Sequence, residues 1–226
     1  MKKRKTAKIF TISTILVLSA WTTAVIAKDL ELKGKQLISR RPPFILTLPS
    51  EFQLVHSASA ENPSESSLTR SYFLVKEKNK RVEEMLIIQI ADKTNPQAAP
   101  MTVPPLKPYT EKRLYVNDNV KKGELRVDYL VQLMGWNPEA QSLQPIVKKG
   151  FFIPSQWALQ GQFLFPYLGE HAVFCRYSKD ILSFGLKVSE KGDDWNKDSL
   201  KGNEMKICGT FKKTFMEIID SIHITP

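Results

Sequence analysis

The stretch HAVFCRYS at residues 171–178 contains the two side-chain types that a thiol enzyme needs. A catalytic thiol requires a base beside the sulfur and a lowered thiolate pKa. His171 and Cys175 are four residues apart, and four residues of a strand span about 13 Å. On a strand the two side chains are too far apart to touch. The spacing therefore argues against a catalytic role for this pair.

Other short motifs that carry chemistry are absent from the sequence. It has no C-x-x-C or H-x-x-x-H pair, no G-x-S-x-G, S-x-x-K or H-E-x-x-H, and no phosphate-binding glycine loop. We therefore predict no catalytic residue, no cofactor and no metal site. One weak calcium candidate exists, because Asp194, Asn196 and Asp198 have the D-x-N-x-D spacing of an oxygen-ligand loop. Its glycine is replaced by Ser199, and Met205 stands where an acid is needed.

The N-terminal segment has the three parts of a secretory signal peptide. MKKRKTAK carries five positive charges and no acid, and Ile9 to Ala27 is a run of nineteen uncharged residues that ends in Val-Ile-Ala. We expect cleavage between Ala27 and Lys28. A run of nineteen residues could also cross a bilayer, so an uncleaved N-terminal anchor is the alternative. Both interpretations place residues 28–226 outside the cytoplasm, in the periplasm or secreted, or anchored to the inner membrane.

The charge of the exported part is modest. The whole chain has 33 basic and 23 acidic residues, a net charge of +10. Five of the positive charges lie in the leader, so the remainder carries 28 − 23 = +5. No block of five basic residues follows the leader, and we expect no nucleic-acid partner. An envelope protein or a small ligand is the expected type of partner, with membrane contact only if the leader is retained.

Two cysteines in an exported chain are typical of a single disulfide. Cys175 falls in a predicted strand and Cys208 on the apolar stripe of a predicted helix. A bond between them would close a loop of about 33 residues and stabilise the fold by about 3–4 kcal/mol. We predict this disulfide. Two buried free thiols are the alternative.

Most of residues 28–226 has the two-residue period of strands. FILTL at 44–48, SYFLVKE, EMLIIQIA, ELRVDYLVQLM at 124–134, WALQGQFLF, AVFCRY and ILSFGLKV are the candidate strands. Ser178 to Asp180 is predicted to form the turn between the last two, and the serine-rich residues 57–69 to form a mobile loop. Five prolines within residues 92–110 exclude a helix and an interior strand there.

The C-terminal segment changes to a period of three and four residues. Between about Asn203 and Ile222 an apolar stripe alternates with lysines and acids, which indicates an amphipathic helix that begins after Asp198-Ser199 or at Asn203. A short strand at His223 and Ile224 is predicted to follow. Hairpin-linked strands with one late helix predict an α+β fold, a mostly antiparallel sheet of about 6–8 strands with the helix on one face, formed as a single domain.

The arrangement is similar to that of small exported PsbP-like proteins: a leader, a strand reading FILTLP, a meander of strands and a final helix. The similarity is one of arrangement and implies no residue roles. Aromatic residues near strand ends, Trp136, Trp157 and Tyr167, are the candidates for a ligand-facing wall. We therefore expect an exported binding or accessory protein. A hydrolase or thiol enzyme with a dispersed site and a membrane-tethered envelope protein are the alternatives.

Overall fold

The computed structural model describes residues 29–224 except 155, 193 and 197; the predicted leader and its cleavage site lie outside this range. The strands are β1 (Leu30–Lys33), β2 (Gln36–Arg40), β3 (Pro43–Thr47), β4 (Gln53–Asn62), β5 (Ser67–Lys78), β6 (Arg81–Lys93), β7 (Tyr115–Lys122), β8 (Leu125–Gly135), β9 (Trp157–Tyr167), β10 (His171–Asp180) and β11 (His223–Ile224). The helices are α1 (Gln144–Val147) and α2 (Gly202–Asp220), with 3₁₀ turns at Pro63–Glu65, Gln141–Leu143 and Ile181–Phe184.

These strands form two antiparallel sheets. A four-stranded sheet has the order β1-β2-β3-β11, and a seven-stranded sheet has the order β4-β5-β6-β10-β9-β8-β7. Helix α2 packs against the sheets. The predicted α+β class, with an antiparallel sheet and a C-terminal helix on one face, is confirmed. No helix in the described part of the chain has the length and apolar character to span a bilayer.

One face of the seven-stranded sheet, here called the first face, packs against a layer formed by α2 and the four-stranded sheet. The main core lies between them. The alternation predicted for residues 124–134 places Val127, Tyr129 and Val131 on this face, all buried. The helix contributes Phe211 and Phe215 to the same cluster. Burial of this apolar surface is the main force that holds the layers together.

The second face of the seven-stranded sheet is covered only in part. The segment at residues 136–153 folds over one end and forms a smaller apolar cluster with strand residues such as Phe73, Val75 and Ile87. Trp136 and Ile146 are buried in this cluster. The rest of the second face is more polar, with half-buried side chains such as Ser71, Gln89 and Arg176.

The prediction of a mobile loop at residues 57–69 is wrong. Residues 53–62 form β4, which pairs with β5 from Gln53 opposite Val75 to Asn62 opposite Ser67. An edge strand is held by backbone hydrogen bonds to one neighbour, so it needs few apolar side chains of its own. The serine and alanine content of this segment therefore led to the wrong prediction of a loop.

The prediction of a strand at ILSFGLKV is also wrong, as is the turn predicted before it. Strand β10 continues through Ser178 to Asp180, and Ile181–Phe184 is a 3₁₀ turn. The Asp180 side chain accepts a hydrogen bond from Leu182 N (2.9 Å), and Ser183 Oγ donates to Asp180 O (2.6 Å). Gly185 then ends the turn at φ 71°, a backbone angle that glycine adopts readily.

The predicted boundaries at the proline-rich segment and at the C-terminal helix are close to those observed. Strand β6 ends at Lys93, and residues 94–114 contain neither helix nor strand. Helix α2 begins after Lys201, whose backbone N donates to Glu204 Oε2 (3.4 Å), instead of after Asp198-Ser199 or at Asn203. The strand at His223 and Ile224 is confirmed and pairs with β3.

Candidate functional site

The two cysteines lie on β10 and α2 and are free thiols in the structure. The predicted disulfide is therefore not formed. Close to this point the helix is attached to the sheet by an aromatic stack between Tyr177 and Phe211, with ring centroids 5.4 Å apart. Burial raises the pKa of the Cys175 thiol far above its usual range, and burial also raises the pKa of Cys208 to about 12. Neither environment suits a nucleophilic thiolate.

His171, the other residue of the opening motif, interacts with a carboxylate instead of a sulfur. Its Nδ1 lies 2.7 Å from Asp92 Oδ1 on β6, and Tyr167 stacks on its ring with centroids 6.1 Å apart. A histidine held by a carboxylate could act as a base. Strand geometry separates it from Cys175, as the spacing predicted.

Asp92 is already paired with a second cation. Arg70 donates from Nε to Asp92 Oδ2 (2.7 Å) and from Nη2 to Asp92 Oδ1 (2.9 Å), and both side chains are buried. Arg70 also donates to Asp29 Oδ2 (2.9 Å) and to the backbone oxygen of Arg41. Burial alone would raise the pKa of Asp92, but the hydrogen bonds from His171 and Arg70 lower it. Because Asp29 and Arg41 flank β1 and β2, this cluster ties the two sheets together.

Two further buried carboxylates are also fully engaged. Glu84 accepts from Tyr177 Oη (2.8 Å) and Lys76 Nζ (2.9 Å) at the opposite end of β6 from Asp92. Asp180 is paired with Arg81 Nη2 (2.6 Å). Burial favours a raised pKa for Glu84, but its hydrogen bond from Lys76 and the charge of Lys179 lower it. These groups serve the fold and are not available for acid–base chemistry.

The calcium candidate is organised as a set of turns. Asp194 accepts from the backbone N of Ser189 (3.0 Å), and Asn196 Oδ1 accepts from the backbone N of Asp198 and Ser199 (3.0 Å each). Within residues 29–224, as far as they are described, no three His, Cys, Asp or Glu side chains are grouped as metal ligands. Asn196 and Asp198 border an open depression of 780 Å³ whose walls also carry Lys112 and Arg113.

The three candidate aromatic residues do not form one wall. Trp136 is buried in the second apolar cluster. Trp157 begins β9, where its Nε1 donates to Ser189 O (2.9 Å) and the Arg113 guanidinium lies 4.4 Å from its ring centroid. Tyr167 is at the other end of the same strand. These aromatic residues have separate structural partners.

Sequence reasoning missed a half-buried strip of polar and apolar side chains on the second face of the seven-stranded sheet. We call it the open strip. It crosses the neighbouring strands β5, β6, β10 and β9, and its side chains are half-buried. Its members are Ser71, Gln89, Ala172, Phe174, Arg176 and Gln162. The alternation that buries Cys175 and Tyr177 on one face of β10 turns Arg176 to the other, which is the signal that could have found it.

Arg176 has no anionic partner in the described part of the chain. It lies opposite Ile87 on β6 and Gln162 on β9. Its Nε is shielded from solvent and has no hydrogen-bond acceptor, and the Phe174 ring lies 5.3 Å from its guanidinium carbon. Burial lowers the pKa of Arg176, although an arginine stays charged at neutral pH. A shielded cation without a counter-charge is costly, and an anion would relieve that cost.

Beside Arg176, amide side chains form a connected ladder on the same face. Gln160 Nε2 donates to Ser178 Oγ (3.2 Å), and Gln132 Nε2 donates to Gln160 Oε1 (3.2 Å). Gln162 Nε2 also donates to Gln160 Oε1. The backbone N of Tyr109, from the proline-rich segment, donates to Gln132 Oε1 (2.9 Å). The ladder therefore connects the neighbourhood of Arg176 to the proline-rich segment through neutral groups.

No protein-family model, curated protein or solved structure matches this chain significantly. The similarity to PsbP-like proteins therefore stays one of arrangement.

Proposed function

We propose that this chain is an exported binding or accessory protein of the cell envelope, with the open strip as its binding surface. The observation that carries the proposal is the guanidinium of Arg176, which has no anionic partner among the described residues. The other groups that could do chemistry, Cys175, Asp92 and Glu84, are shielded thiols or carboxylates in ion pairs. A preformed and unneutralised charge on a rigid sheet suits recognition of a ligand.

The N-terminal sequence supports the location. A basic start, an apolar middle and small residues before Lys28 are the features that export machinery reads. Residues 28–226 carry a modest net charge of 28 − 23 = +5 without a basic block, which gives no reason to expect nucleic acid. A chain that keeps the segment Ile9–Ala27 as an anchor would present the same domain on the outer side of the membrane.

One observation favours a second candidate function, an envelope hydrolase. His171 lies 2.7 Å from Asp92, as a general base and its orienting acid would. Arg70 competes for the same carboxylate, and no serine or cysteine among the described residues hydrogen-bonds to the His171 ring. A dyad without a nucleophile is incomplete, so binding is the better-supported function.

The test begins with the full chain carrying a C-terminal tag in a bacterial host. We expect the protein in the envelope or periplasmic fraction, with an N-terminus at Lys28. Native mass spectrometry of the isolated protein is then expected to show a retained small molecule that the Arg176→Gln variant lacks. A full-length chain that stays in the cytosol would contradict the export proposal, and equal retention by both proteins would contradict the binding surface.

A further inference from the structure

We infer that the open strip binds a monocarboxylate with an apolar body, with the carboxylate on Arg176. This inference rests on the proposed function and names the class of its ligand. A guanidinium presents parallel N–H donors in one plane, which match the two oxygens of a carboxylate.

The charge of the site selects the charge of the ligand. Arg176 contributes one positive charge, and the other members of the open strip are neutral. Acids on this face already have cationic partners: Asp128 on β8, two strands away, accepts from Arg126 Nε (2.9 Å), and Asp180 at the end of β10 is paired with Arg81 Nη2 (2.6 Å). A monoanion would be neutralised by Arg176 alone. A dianion such as a phosphate monoester would keep an uncompensated charge beside apolar side chains, which is unfavourable.

The apolar side chains around Arg176 favour a ligand whose uncharged part is apolar. Phe174 presents a half-buried ring next to the guanidinium. The buried Ile87 and Leu164 lie opposite Arg176 and Phe174 on the neighbouring strands. A planar or aliphatic body would cover this surface and shield the ion pair from water, which strengthens it. Ser71 and Gln89, joined by a hydrogen bond of 3.3 Å, and Gln162 supply neutral polar groups at the edge of the strip.

The Arg176 Nε–H group is a suitable reporter of binding, because it is shielded from solvent and has no acceptor among the described residues. The experiment titrates the ¹⁵N-labelled protein with benzoate, benzamide and phenyl phosphate at pH 7.5 and follows arginine side-chain resonances by NMR. We expect benzoate to shift the Arg176 resonance saturably. We expect benzamide to bind at least tenfold more weakly because it lacks the charge. Phenyl phosphate is also expected to bind more weakly than benzoate, because it is a dianion at this pH.

Variants separate the site from general charge effects. Arg176→Gln is expected to weaken benzoate binding at least tenfold, and Arg176→Lys to weaken it less because the charge is kept without the planar fork. Arg126→Gln is the matched control, since Arg126 is an exposed arginine on the same face with a carboxylate partner. It is expected to leave benzoate affinity unchanged. The wild-type titration needs no variant and is decisive even if one variant fails to fold.

Several results would overturn the inference. In the titrations, these are the absence of a saturable benzoate shift at Arg176, benzamide binding as tight as that of benzoate, or phenyl phosphate binding tighter than that of benzoate. Among the variants, it is an equal loss of benzoate affinity in Arg176→Gln and Arg126→Gln. If benzoate fails while the exported protein still retains a molecule that Arg176→Gln loses, the monocarboxylate assignment is wrong and the proposed function stands. If no molecule is retained either, both are wrong.

Discussion

Phe215 of helix α2 lies directly over Gly161 of strand β9. A Cβ built on Gly161 would be 2.3 Å from Phe215 Cδ2, which is closer than two such atoms can approach. The missing side chain at the middle of β9 therefore makes room for the ring of the helix. This contact limits how closely α2 can approach the sheet, and it joins the helix to the seven-stranded sheet within the core.

The Gly161–Phe215 contact predicts that Gly161→Ala destabilises the protein. The added methyl group must displace the Phe215 ring or the helix, and overpacking of this kind lowers the free energy of unfolding by about 1–3 kcal/mol. Urea unfolding followed by circular dichroism measures the change. Gly209→Ala is the matched control, because Gly209 lies in α2 with open space around it. That variant is expected to be more stable by about 0.5–1 kcal/mol. Equal effects of the two substitutions would refute the packing argument.

The buried Arg70–Asp92 pair predicts a large cost for removing one partner. Asp92→Asn removes the buried counter-charge of Arg70 and leaves it only the partly exposed Asp29, and removing one partner of a buried pair costs about 3–5 kcal/mol. The free energy of unfolding in urea is the measurement. Asp128→Asn disrupts an ion pair whose arginine is exposed and is expected to cost at most about 1 kcal/mol. A loss for Asp92→Asn as small as that of the control would show that the cluster does not hold the sheets together.

Acidification is expected to destabilise the fold through Glu84 and Asp92. Their usual pKa values are 4.5 and 3.8, and the folded pKa of each is lowered because hydrogen bonds and nearby cations outweigh burial. A lowered pKa stabilises the folded state above the unfolded value, and this contribution is lost as the pH falls through the folded pKa. The free energy of unfolding should therefore be steady above about pH 5 and should fall below it.

Glu84→Gln tests the assignment of this acid sensitivity. The variant is expected to be less stable than the wild type at pH 7 and to lose less stability between pH 5 and pH 2, because one of the titrating groups is gone. Glu124→Gln, at an exposed position, is the control and should keep the wild-type profile. Urea unfolding at several pH values gives both curves. An unchanged acid slope in Glu84→Gln would assign the pH dependence to other groups.

The thiols are expected to react slowly in the folded protein. Burial raises the pKa of Cys208 to about 12, and Cys175 is still more shielded, so both are protonated at pH 7.5. Iodoacetamide labelling followed by mass spectrometry should add no more than traces to the native protein and two groups after unfolding in guanidinium without reductant. Labelling of the unfolded chain that requires reductant would show a disulfide, and fast native labelling would show a reactive thiol.

Sequence periodicity predicted most elements that face the main core. The alternation at residues 124–134 and the spacing of three and four around Phe211 and Phe215 are direct consequences of burying one face of a strand or helix. Composition failed where backbone pairing decides the structure. Strand β4 is rich in serine and alanine yet pairs along its length with β5, and ILSFGLKV is apolar yet turns because Asp180 caps a 3₁₀ helix.

The candidate site was less predictable than the fold. The alternation of side chains along β10 predicts that Arg176 and Cys175 lie on opposite faces. It does not predict which strands lie beside Arg176. The order β6-β10-β9 places Ile87 and Gln162 beside Arg176, and no acid among the described residues pairs with it. Arg70 shows the opposite outcome. It lies within β5 on the other face of the sheet, and its guanidinium is paired with the carboxylate of Asp92.

The amino-acid sequence by itself determined the class of fold and the identity of the buried stripes, because local periodicity records which face of each element leaves water. It also contains the basic, apolar and small-residue pattern of residues 2–27, on which the export proposal rests. Only the tertiary structure decided which charges are paired. Strand order and register bring together residues far apart in the chain, and these contacts neutralise Arg70, whereas they bring no acid to Arg176 from the part of the chain that the structure describes.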